Sequence, residues 1–142
     1  MKRFSCIVAI FLLTLGTSGP GIHGDEQKGQ DNKAPKRVSE LMRKKLEHSQ
    51  KILEGIAVND SKVIAQKADD LIDLSKQVEW RVFKTPQYEI HSNEFRRNAE
   101  SLVKAAKDKN IDAAALAYVE MTLTCVRCHK YVREERMVRL DR

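Results

Sequence analysis

Cys125, Cys128 and His129 stand as C-x-x-C-H within Thr124-Cys125-Val126-Arg127-Cys128-His129, close to the C-terminal end of the sequence. That spacing is the signature of covalent c-type haem attachment. Two thiols add across the two vinyl groups of one porphyrin. The adjacent imidazole then reaches the iron, because histidine is among the few side chains that haem iron accepts as an axial ligand. On a helix the three positions are related as i, i+3 and i+4 and so share one face. Zinc is a rival chemistry, but a zinc site needs four ligands. The three residues would need His48 or His91 from another helix to complete such a set. A redox dithiol is a second rival, and it calls for a strand before the cysteine pair and a helix starting at it. Here the pair falls deep inside a helical pattern.

The elements that must position these residues are helices. The chain has 142 residues, enough for one modest domain, with aromatics at only 6%. Lys, Glu, Ala and Leu abound while glycine and proline are few, a composition that favours helices over a sheet. Met1-Lys2-Arg3, the apolar run from Ile7 to Leu15, and the small residues Gly16 to Pro20 form the three-part pattern of a secretory signal peptide, too short for a membrane span. Residues 1–24 are expected to be that signal, which implies a periplasmic or otherwise exported protein, and c-type haem is attached outside the cytoplasm in bacteria. Cys6 precedes the apolar run, which argues against a lipoprotein. Removing the segment takes away Cys6, leaving only the two cysteines of the motif. It also takes Lys2 and Arg3 and no acid, so the formal charge of +6 falls to +4. That mild basicity suits an acidic redox partner and does not suggest nucleic acid.

Residues 25–34 are polar and without periodicity and are expected to be a disordered leader. Residues 35–142 are then the domain. Pro35 suits a first helical turn, and Val38, Leu41, Met42, Leu46, Ser49, Ile52, Leu53 and Ile56 recur at helical spacing, ending near the Asn59-Asp60 turn. A second helix is predicted from Asp60 or Ser61, with an inner stripe running on through Val78, Val82 and Phe83 until Pro86 breaks it. A loop from Pro86 to His91 follows, leaving His91 in solvent, and Ser92 is predicted to cap a third helix that closes at Asp108-Lys109-Asn110. Asp112 is predicted to cap the fourth, whose stripe Leu116, Val119, Leu123 and Val126 runs through the cysteine motif to about Arg136. The fold class expected is all-α, an antiparallel up-down-up-down four-helix bundle.

With a signal segment, four amphipathic helices and a single C-x-x-C-H near the C-terminus, the chain resembles the cytochrome c prime family over roughly residues 35–136. The resemblance implies one covalent haem c, with Cys125 and Cys128 as the thioether residues and His129 as the proximal iron ligand. In the family a basic residue often lies beside the imidazole, and Arg133 occupies that place. The distal side of the haem faces the first helix there. High-spin members put an apolar or aromatic group on that side, and low-spin relatives put an iron-ligating methionine. Matching the Asn59-Asp60 turn to the family's first turn brings Met42 to the distal position, with Val38 or Leu46 one turn away. His48 is the rival distal residue. The resemblance also implies that Arg37 and Arg43 are available to pair with haem propionates, and that a homodimer through the first two helices is an option.

Three function classes follow. The first is an exported electron carrier working with redox partner proteins. The second is a five-coordinate haem protein that binds nitric oxide or carbon monoxide. The third is a zinc or dithiol protein. No paired-carboxylate, phosphate-loop or nucleophile pattern points to an enzyme.

Overall fold

In the computed structural model, residues 33–141 are described. The proposed signal segment, most of the leader and Cys6 lie outside the described residues. Four helices make an antiparallel up-down-up-down bundle: α1 (Lys33–Ala57), α2 (Ser61–Leu74), α3 (Pro86–Lys107) and α4 (Ile111–Leu140). No strand occurs among the described residues, and no described helix is long and apolar enough to cross a membrane. The helix is already present at Lys33 and Ala34, so the boundary expected at Pro35 falls two residues late.

The bundle is two helical hairpins built on the same turn. After α1, Asp60 N–H donates to the Gly55 carbonyl and Asn59 N–H to that of Ile56. After α3, Asn110 N–H donates to Ala105 and Lys109 N–H to Ala106. Both are Schellman closures, which need a left-handed residue just past the helix. Asn59 and Lys109 take that role at φ 58° and 53°. Asp60 then caps α2, accepting from Lys62 and Val63 N–H, and Asn110 caps α4, accepting from Ala113 N–H. The Asp112 cap predicted for α4 is therefore misplaced. Asp112 sits inside the first turn, where its charge favours the helix N-terminus.

The crossover between hairpins departs most from expectation. α2 ends at Leu74, well before Pro86, and Val78–Trp80 forms a 3-10 turn. Ser75 folds its hydroxyl back to the Ile72 carbonyl, and the chain turns so that Trp80 and Phe83 can bury their rings. Trp80 Nε1–H donates to Ser92 Oγ at 3.0 Å, and the Tyr88 hydroxyl donates to the Trp80 carbonyl. Pro86 does not break α2 but opens α3, with Thr85 as the cap accepting from Tyr88 N–H. Ser92 is thus a buried residue within α3, and His91 is buried rather than in solvent.

Packing also corrects the predicted apolar stripes. On α4 the larger residues Leu116, Val119, Leu123 and Val126 face outward, and the inner face is Ala114, Ala117, Met121 and Thr124. Ala114 and Ala117 on this face, with the buried Ala99, Ala105 and Ala106 of α3, let the two helices approach closely, and Met121 is the one large side chain that the face buries. On α1, Leu46 and Leu53 are likewise exposed, and the buried positions are Leu41, Lys45, Ile52 and Gly55. A Cβ added at Gly55 would lie 3.0 Å from Ile64 Cγ1, so that glycine sets the spacing of the first hairpin. α1 packs on α2, α2 on α3 and α3 on α4, while α1 and α4 meet only sparsely. The bundle is open along that one seam.

Candidate functional site

The open seam is where the cysteine motif looks. α4 is fixed in rotation by its contacts with α3 and the crossover. Asn98 Nδ2–H donates to the buried Thr124 Oγ1 at 2.9 Å, and Tyr131 shares a 2.6 Å hydroxyl contact with Thr85. With Thr124 and Tyr131 held on that side, Cys125, Cys128 and His129 are turned toward α1.

Two clefts occupy the seam. One, of about 300 Å³, runs beside Cys125, Met121 and Phe95. The other, of about 230 Å³, runs beside Cys128, Trp80 and Val132 and reaches Arg133 and Arg136 at its rim. Met42, Lys45 and His129 line both, so the two are halves of one groove divided by side chains from α1. Its walls are mostly apolar, as in cofactor sites generally. A larger hollow of about 590 Å³ at the start of α1, beside Arg37 and Val78, contains none of the motif residues.

The electrostatics suit axial ligation better than thiol redox chemistry. Burial pushes the Cys128 thiol above its ordinary value, whereas an exchange-active cysteine needs its thiolate favoured. His129 is exposed on α4, and its partial burial, followed by the charges of Lys45 and Arg133, lowers its pKa, which favours the neutral imidazole with its nitrogen lone pair available. Both cysteines are free and half-buried.

The other residues singled out from sequence separate into those at the groove and those away from it. Met42 is half-buried and on the groove, and Arg133 is exposed at its rim. Val38 lines the second cleft, and Leu46 borders the first although most of its side chain is exposed. His48 turns away toward α2, its Nδ1 3.4 Å from Asp70. His91 lies between α3 and α4 with Gln87 and Tyr131 as neighbours, and its Nδ1 is 3.6 Å from Glu94. Among the described residues no three His, Cys, Asp or Glu side chains converge as a metal-ion cluster, and neither histidine joins the motif to complete a zinc set. Arg37 is 3.9 Å from Glu79, and Arg43 is exposed on α1. Met121 is fully buried and Met137 is exposed.

A buried charge in the groove was not singled out from sequence. Lys45 is only 8% exposed, and its Nζ rests 4.6 Å from the Trp80 ring centre and 4.1 Å from that of Phe95. The available signal was its place three residues after Met42 and four after Leu41, on the inner face of α1.

No family model, curated protein or solved structure gives a significant match to this chain. The functional reading therefore stands on the groove and on the residues that line it.

Proposed function

We propose that this chain is an exported monohaem c-type cytochrome that carries electrons. The observation that supports the reading best is the convergence on one groove of three features. These are two half-buried free thiols, an imidazole whose protonation the surroundings disfavour and, from the opposing helix, a thioether side chain. The donor set fits the group: Cys125 and Cys128 would hold haem c through thioethers, and His129 would be the axial ligand on the α4 side. Bound there, haem iron supplies a reversible one-electron couple between ferrous and ferric states.

The chain's own contributions are specific. The Asn98–Thr124 and Thr85–Tyr131 contacts hold α4 in the rotation that aims His129 at α1. The aromatic floor of Trp80 and Phe95 excludes water and lowers the local dielectric. Met42 is the residue on α1 assigned to the distal side, and Arg133 adds positive charge beside the imidazole. Resemblance to the cytochrome c prime family fits this arrangement, in which the haem residues come from the last helix and the distal residue from the first.

The two clefts beside Met42 also favour a second reading, a haem protein whose distal side admits nitric oxide or carbon monoxide. Adding carbon monoxide to the reduced protein separates the two. A rapid spectral change supports the gas binder, and an unaltered low-spin ferrous spectrum supports the methionine-ligated electron carrier.

A further inference from the structure

Lys45 has no carboxylate within ion-pair distance among the described residues, and its ammonium lies over the faces of Trp80 and Phe95. Burying an ammonium without a counter-ion is costly, and two aromatic faces offset only part of that cost. A cation kept in such a place is set to receive a negative partner. Its position says which side that partner would be on. Lys45 is one turn from Met42 on the same face of α1, borders both halves of the groove, and faces the wall that carries His129. Its charge acts on both Cys128 and His129. Haem propionates would find partners at Arg133 and Arg136, which are exposed at the rim of the second cleft, where carboxylates would meet solvent. The deep position of Lys45 is therefore free for something smaller.

We infer that Lys45 makes the distal side of the groove a binding site for small monoanions, holding them by a charge-assisted hydrogen bond from its buried ammonium. The inference rests on the haem reading above and extends it. A distal side that would otherwise be apolar selects anionic over neutral ligands, and an anion competes there with Met42.

The test uses the full-length holoprotein in the native and Met42→Ala backgrounds, each with Lys45, Lys45→Met or Lys45→Arg. Helical content and the pyridine haemochrome spectrum are recorded first, which shows whether covalent haem is present independently of any anion. Azide is then titrated into the ferric protein, and carbon monoxide into the ferrous protein as a neutral probe of the same space. The expected result is that Lys45→Met weakens azide binding at least tenfold in the Met42→Ala background, with carbon monoxide affinity within about twofold and azide binding restored by Lys45→Arg. Azide affinity indifferent to Lys45 would overturn the inference. So would azide and carbon monoxide affinities that change together, or a Met42→Ala protein that takes up no azide. A protein without covalent haem overturns both readings, and the haemochrome spectrum identifies that case.

Discussion

Met42 on α1 and His129 on α4 line the same two clefts from the two sides of the bundle's one open seam. A flat cofactor held on the His129 side would present its other face to Met42. Replacing Met42 with alanine in the holoprotein is therefore expected to convert a low-spin spectrum to high-spin and to permit rapid carbon monoxide uptake. A low-spin spectrum unchanged by the substitution would remove Met42 from the distal role.

On the proposed reading the two cysteines would hold the haem and contribute little to the fold. Neither belongs to the fully buried core, so the double change Cys125→Ala/Cys128→Ala should leave helical content near that of the parent protein. It should also let acid–acetone extract all of the haem. Each single variant should keep one thioether and remain coloured after extraction. Retention or loss of haem can be read from haem staining on a denaturing gel, and helical content from circular dichroism.

Much of the architecture could be read from the sequence, and the particular failures have physical causes. The two hairpin turns were visible because Asn59-Asp60 and Asp108-Lys109-Asn110 carry closing and capping side chains that act locally. The early end of α2 was hidden because Val78, Val82 and Phe83 keep a helical spacing while the chain turns to bury Trp80, a tertiary effect. The inner face of α4 was misassigned because large residues outweigh alanines in any apolar pattern, whereas close packing against α3 selects the small face. At the site, the cysteine motif stands out by residue type and spacing, whereas Met42 comes only from the resemblance to the cytochrome c prime family, and the structure adds that both border one groove. Lys45 was not legible, because a lysine amid so many charged residues reads as surface until the rings beneath it are seen.

Tyr88 gives the fold an alkaline limit. Burial is the main cause that pushes its pKa from 10.0 to about 12. The folded chain thus holds the phenolic proton more tightly than the unfolded one. Its contribution is complete below pH 10 and is lost as the pH climbs through about 12. Denaturant unfolding across that window should show stability falling with pH. Tyr88→Phe should flatten the fall while costing about 1 kcal/mol at neutral pH for the lost bond to the Trp80 carbonyl.

Lys109 occupies the left-handed region at φ 53° with an ordinary side chain, at a position where glycine is the usual residue. Lys109→Gly is expected to stabilise the α3–α4 hairpin by about 1 kcal/mol. Lys109 is exposed, so no packing is lost. Thermal melts of the two proteins at matched pH check this. A melting temperature that falls would show that the Schellman turn is not limiting.

The proposal that Cys125, Cys128 and His129 hold one covalent haem in the α1–α4 groove is tested by the pyridine haemochrome spectrum of the purified protein, after acid–acetone extraction, together with metal analysis. The expected result is a red protein with one iron per chain and a c-type haemochrome that survives extraction. A colourless protein carrying zinc or free thiols, or a haem lost entirely to the organic phase, would contradict it.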